Sequence, residues 1–260
     1  MALSEANIIA SIVAAAAPLL VGWFAAALGS WRLALGLVAL APILMFLGLG
    51  KVSAPLAGSE APALPGARRS LPVLYWVYWL ALMLSISVEF CMIFWSANYL
   101  EDVLGMPKAG AAQAVSLFLA GMILGRMAGS SLVGRLGPRR LVITSNLLAL
   151  ASFFVFWQPW SRSVGAGLLG LFLTGLGVAS LYPLILSLAM GAAADRPVQA
   201  SARATLASGT AILALPLTLG RLADVLGLRA AYGMVVVLLV SVLFIGLVAE
   251  RLVRTREAPV

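Results

Sequence analysis

Long apolar runs separated by short polar turns recur along this 260-residue chain. Eight runs stand out, at about 6–28, 31–50, 72–99, 109–133, 140–157, 163–190, 201–221 and 229–250. Each approaches the roughly 20 apolar residues that a helix needs to cross a bilayer. The turns between them are rich in Gly, Pro and Arg, as in Gly29-Ser30-Trp31-Arg32 and Gly137-Pro138-Arg139-Arg140. The pattern predicts an all-α integral membrane protein with eight transmembrane helices. One connection departs from it. Residues 51–70 are polar, hold three prolines and have no apolar period, which is the composition of a flexible linker.

A gapped stretch near the start recurs near the end. Pro18, Gly22, Ala25 and Leu28-Gly29 are matched by Pro216, Gly220, Ala223 and Leu226-Gly227, each 198 residues later. A fixed long period argues for duplicated architecture, and duplicated helical halves mark secondary transporters. The early copy falls in the first run and the late copy in the seventh, so the repeat unit is six helices. Eight helices then read as one complete unit preceded by the last two helices of another. The 51–70 linker falls at the joint.

Composition supports a membrane reading. Hydrophobic residues make up 63% of the chain, charged residues 10%, and the mean hydropathy is +1.08. A soluble domain of this size cannot bury that much apolar surface. The formal charge of +8 would point to nucleic acid in a soluble protein. Here it lies almost wholly in the connections, where basic residues face anionic lipid headgroups, so no nucleic-acid partner is expected. With the linker placed in the cytoplasm, eleven basic residues fall inside and five outside, which predicts both termini in the cytoplasm. Fifteen Arg against two Lys, with abundant Ala, Gly and Leu, point to a GC-rich bacterial genome, and with the apolar runs the expected location is the inner membrane. Residues 1–7 carry no basic n-region, so a cleaved signal peptide is not expected. Tyr75, Trp76, Tyr78 and Trp79, and Trp157 with Trp160, read as interfacial aromatic belts.

Several chemistries are excluded. There is no histidine, Cys91 is single and set in an apolar run, and no G-x-x-x-x-G-K-[ST] occurs. No metal, cofactor, disulfide or ATP site is therefore expected.

The turn Leu132-Val133-Gly134-Arg135-Leu136-Gly137-Pro138-Arg139-Arg140 resembles the signature loop of the major facilitator superfamily, G-x-L-A-D-R-x-G-R-R. Ser130 stands where the family has its first Gly, and Gly134 where it has Asp. Arg135, Gly137, Arg139 and Arg140 keep the Arg-x-Gly core and the basic pair. Without the Asp, the arginines are expected to act chiefly as topology charges. The stretch Gly220–Gly227 resembles the family's connection between helices eleven and twelve. Gly125-Arg126 and Val88-Glu89-Phe90 resemble its fucose-permease-like, sugar-transporting branch. The resemblance implies a major facilitator fold represented by helices five to twelve of twelve. Residues 1–50 would be the last two helices of the N-terminal bundle and 51–70 a cytoplasmic inter-bundle linker. Residues 71–251 would form the C-terminal six-helix bundle and 252–260 a cytoplasmic tail.

Two ionisable residues interrupt apolar runs, Glu89 in the third and Arg126 in the fourth. Charges at membrane depth are costly and mark functional sites. Glu89 is the proton-coupling candidate, because a carboxyl in a low-dielectric cavity can exchange its proton during transport. Arg126 is the candidate for holding an anionic or hydroxylated solute through its fork of donors. At about 1.5 Å per residue, Glu89 lies roughly 25 Å and Arg126 roughly 12 Å from the inner ends of their helices. A gap of about 13 Å argues for separate groups in one aqueous cavity rather than an ion pair. Trp95, Asn98 and Asn146 are further pathway candidates, with helix–helix hydrogen bonding as the alternative. Pro18, Gly22, Pro216 and Gly220 mark kink or gating positions. Gly121, Gly125 and Gly129 share one helix face and suit close packing, as do the glycines of the sixth run.

The leading reading is a secondary active transporter of a small solute, coupled to protons and working by alternating access. Because that cycle needs two opposed bundles, the competing reading is a non-transporting remnant, or a subunit completed by a missing N-terminal half. A membrane-embedded enzyme ranks third, since no His base, metal set or paired carboxylates face a membrane surface.

Overall fold

The computed structural model describes residues 23–24, 32–49, 70–158 and 163–257. Pro18, Gly22, most of the first expected segment and of the linker, and Trp160 lie outside the described residues. Helix α1 (Arg32–Leu49) matches the second expected segment and belongs to a small unit covering 17–70. Its leucines at 33, 37, 40, 44 and 47 point outward.

Residues from Leu71 onward form a separate, larger unit. Its helices are α2 (Val73–Asp102), α3 (Lys108–Leu136), α4 (Pro138–Trp157), α5 (Val164–Val178), α6 (Leu181–Ala192), α7 (Pro197–Leu226), α8 (Leu228–Ala231) and α9 (Gly233–Glu257). Together they make six stretches long and apolar enough to cross a membrane, with α5–α6 forming one and α8–α9 another. The helices overrun their apolar segments by several residues. Hydropathy registers only the part in hydrocarbon, whereas backbone hydrogen bonding carries the helix on into the headgroup layer.

Turn chemistry sets the boundaries. Pro138 and Pro197 open α4 and α7 in the first turn, where the missing N–H costs nothing. Ser163 caps α5 by accepting from the Ala166 amide. Gly137 and Gly227 end α3 and α7 in nearly the same conformation, φ 75°, ψ 155° and φ 79°, ψ 151°. That region is essentially closed to residues with a Cβ. The signature-like loop and the α7–α8 connection are therefore the same turn made twice. Gly137→Ala is expected to lower stability by about 1–2 kcal/mol, read as a drop in thermal unfolding temperature in detergent. An unchanged midpoint would refute the backbone argument.

Helix α2 is the axis of the larger unit and packs against α3, α6, α7 and α9. Two apolar clusters share it. One gathers Tyr99, Phe153, Phe156 and Tyr232 near its Asp102 end, and the other Tyr75, Leu82, Leu181 and Ile185 near its Val73 end. Polar aromatic groups join α2 to α7. Tyr75 Oη donates to the Ala200 carbonyl (2.7 Å), Trp79 Nε1 to Arg203 (2.8 Å) and Trp95 Nε1 to Pro216 (3.0 Å). This corrects the belt reading for the first aromatic group. Tyr75 and Tyr78 are buried, and Tyr75 and Trp79 hold a neighbouring helix. Trp157 does likewise, donating to the Arg229 carbonyl (2.7 Å).

Small residues let α3, α4 and α5 approach closely. A Cβ at Gly121 or Gly125 would collide with the α5 backbone, and one at Gly129 with the Ser180 hydroxyl. Gly170 and Gly177 face the α4 backbone and Gly175 that of α3, while Gly165 meets nothing within 4 Å. The packing expected of the two glycine series holds for all of these except Gly165.

Candidate functional site

A cavity of about 950 Å³ opens between α2, α3, the α5–α6 junction and α7. Ile86, Glu89 and Phe90 line it from α2, and Ser208 and Ile212 from α7. Helix α3 contributes Arg126, Ser130 and Ser131. The fourth wall is a proline-marked irregularity in a spanning helix. Residues 179–180 form a turn between α5 and α6, followed by Tyr182-Pro183. Pro183 has no N–H to bond the preceding turn, so one backbone hydrogen bond is missing there, while residues 179 and 180 keep right-handed helical dihedrals. A backbone carbonyl freed in this way at membrane depth is tolerated where the irregular turn is buried in protein or lines a cavity. Here Ser180 meets both conditions, because it is buried, lines the cavity and donates through Oγ to the Gly125 carbonyl (3.2 Å). That bond secures the backbone one residue before Arg126.

Glu89 and Arg126 meet in this cavity. Arg126 Nη2 lies 3.6 Å from Glu89 Oε1, and the side chains are 24% and 15% exposed. This corrects the expectation that they stand too far apart to pair. Side chains on a helix lean toward its N-terminus. Successive spanning helices α2 and α3 run in opposite directions, so Glu89 leans toward the Val73 end and Arg126 away from it. Both long side chains thus close the gap that a count along the helix axes leaves open.

The other candidates fall elsewhere. Asn146 is buried and donates to the Leu239 carbonyl (2.9 Å), joining α4 to α9. Asn98 is exposed and borders neither this cavity nor the smaller depression, of about 690 Å³, that Trp95 lines with Trp157, Asp102 and Asp224. The Trp95 indole also fills the space beside Gly220, where a Cβ would come within 2.6 Å of the ring. Pro216 and Gly220 thus form the seat of one aromatic ring. In the signature-like loop, Arg139 hydrogen-bonds the Tyr78 hydroxyl, with Glu250 of α9 close by, while Arg135 and Arg140 are exposed.

The cavity serines escaped the sequence reading because Ser is common in membrane helices and carries no period. Tyr182-Pro183 was the legible hint of the irregular turn. Among the described residues, no group of His, Cys, Asp and Glu is placed to hold a metal.

A bundle of six membrane-spanning stretches, four of which wall a largely apolar cavity that holds one ion pair, fits a multi-pass membrane transporter. Residues 1–209 match the Major Facilitator Superfamily, and the chain belongs to that superfamily. An uncharacterised MFS-type transporter of Yersinia pestis is 28% identical over 154 residues, covering 59% of this chain and 40% of its own length. A glucose/galactose transporter of Brucella abortus is 27% identical over 157 residues, covering 59% and 37%. The crystal structure of the major facilitator transporter FucP in its outward conformation is similar in fold, with a TM-score of 0.64 at 18% identity. That match covers 84% of this chain and 53% of FucP. The matched stretches thus cover about 40% of the curated relatives' length.

Proposed function

We propose that this chain forms the C-terminal bundle of a secondary active transporter that moves a small hydroxylated solute by alternating access, coupled to protons. Residues 71–251 would be that bundle and 51–70 a cytoplasmic linker, with both ends of the chain in the cytoplasm. The single observation that carries the reading is the Glu89–Arg126 pair in a cavity between spanning helices. Ionisable residues within membrane-spanning helices that face a cavity mark solute and proton pathways. A carboxylate paired with a guanidinium there can release its partner, take up a proton and reset. The glucose/galactose transporter among the relatives points toward a sugar-like solute. Alternating access needs a second, opposed bundle, so the activity belongs to this bundle acting with one.

The test is energised uptake in membrane vesicles that contain this bundle together with an opposed N-terminal bundle. Glu89→Gln is expected to abolish proton-driven accumulation and to spare solute exchange. Accumulation that survives the substitution would overturn the coupling role.

A further inference from the structure

The donors and acceptors of the cavity define what fits it. Four serine hydroxyls line it, and each already gives its proton to a backbone carbonyl. Ser130 and Ser131 donate to Met127 (2.7 and 3.4 Å), Ser180 to Gly125 (3.2 Å) and Ser208 to Ala204 (3.1 Å). In this arrangement each hydroxyl oxygen turns its lone pairs toward a ligand, and Tyr182 adds one phenolic hydroxyl able to donate or accept. The Arg126 guanidinium, by contrast, is all donor, with five N–H groups in a planar fork matched to a carboxylate. The complementary ligand carries several hydroxyl donors and one concentrated acceptor.

The ion pair is suited to exchange partners. At 3.6 Å, with one nitrogen facing one oxygen, it is longer than the roughly 2.7–2.9 Å of a charge-assisted hydrogen bond, and it is not the bidentate fork. Both groups keep some exposure to the cavity. A neutral sugar could enter and leave with this pair intact, so its binding would place no demand on the charge of Glu89. A carboxylate that reached Arg126 would put two anions on one guanidinium at membrane depth, a costly arrangement unless one anion is neutralised. The titratable groups lining the cavity are Glu89 from α2, Arg126 from α3 and Tyr182 from α6, with none from α7. Glu89 is the carboxylate among them.

We propose that the ligand of this cavity is a sugar acid, a small polyhydroxylated monocarboxylate, whose carboxylate takes Arg126 from Glu89 as Glu89 binds one proton. One guanidinium–carboxylate contact breaks and another forms. One proton from solution ends on the Glu89 carboxyl, so solute and proton enter together with no net charge. The inference rests on the reading of this cavity as the solute site and adds the charge of the solute.

The test is titration calorimetry of the full 260-residue chain in detergent, run in two buffers of different ionisation enthalpy. Gluconate, glucuronate and galacturonate are compared with glucitol, glucose and galactose, their neutral counterparts, and with butyrate, a carboxylate without hydroxyls. At least one sugar acid is expected to bind 10-fold or more tightly than both its counterpart and butyrate, taking up about one proton per molecule bound. Glu89→Gln is expected to remove the proton uptake and the pH dependence, holding the acid at every pH as tightly as the parent chain does at low pH. Arg126→Gln should abolish the preference for the acid, and Arg126→Lys should keep part of it in a folded bundle. Neutral sugars binding as well as their acids would overturn the charge assignment and leave the solute-site reading standing. Butyrate binding as tightly as the acids would overturn the role of the hydroxyls. Absence of binding by every probe would overturn both readings. Proton uptake that persists in Glu89→Gln would overturn the exchange.

Discussion

Removing either member of the Glu89–Arg126 pair is expected to destabilise the bundle more than removing both. Glu89→Gln or Arg126→Gln leaves one charge in an apolar helix without its partner, and charges at that depth cost about 2.5–3.5 kcal/mol on insertion scales. Water reaching the cavity through the 24% and 15% exposed side chains offsets part of this, so about 2 kcal/mol is expected for each single variant. The double variant removes the pair and its desolvation together, and should lie within about 1 kcal/mol of the parent chain. Thermal unfolding of the four proteins in one detergent makes the double-mutant cycle. A double variant less stable than either single one would show that the two residues do not act as a pair. The functional loss should run the other way, with single and double variants all failing to accumulate solute against a gradient.

Glycine-to-alanine changes along α3 should separate into two classes by position alone. At Gly121 and Gly125 a new methyl group has no room. It would meet the backbone of Phe172 and Leu176, and at Gly125 also the Ala179 Cβ at 2.7 Å. The helices must move apart, forfeiting dispersion contacts along both. Overpacking of this kind costs about 1–3 kcal/mol per site. Gly121→Leu and Gly125→Leu are expected to abolish the folded bundle, read as loss of a monodisperse peak after extraction. Gly134, on the same helix, meets nothing within 4 Å. There alanine should be neutral or stabilising by up to about 1 kcal/mol, the helix-propensity gain. Equal effects at Gly121 and Gly134 would mean that the close approach of α3 and α5 does not hold the bundle together.

What could be read from the chain divides along a physical line. Membrane helices were legible because the bilayer imposes a local requirement of about 20 apolar residues in succession, each helix satisfying its own backbone. A close-packing face on α3 was legible from Gly121, Gly125 and Gly129, since spacing by four puts residues on one face whatever the neighbour is; that α5 fills it was not. Gly137 and Gly227 ended their helices where sequence placed the turns, because a positive φ is a property of the residue itself. The charges at 89 and 126 announced a site for the same reason, since any charge in hydrocarbon is anomalous by itself.

Their union was not legible. Helix rise gives depth along an axis, whereas an ion pair depends on the direction in which two side chains lean and on which faces meet. Those are set by the packing of α2 against α3. The same holds for Asn146 and Trp95, whose polar groups could have faced a pathway or a neighbouring backbone. Only the positions of α9 and α7 decided for the carbonyls of Leu239 and Pro216. The cavity serines gave no signal because their importance lies in which carbonyl already holds each proton. Sequence thus determined the elements, the membrane class and the anomalous charges, each imposed residue by residue by solvent and backbone. Tertiary structure alone decided which of those charges meet and what chemistry surrounds them, because contacts between helices depend on the relative placement of segments distant in the chain.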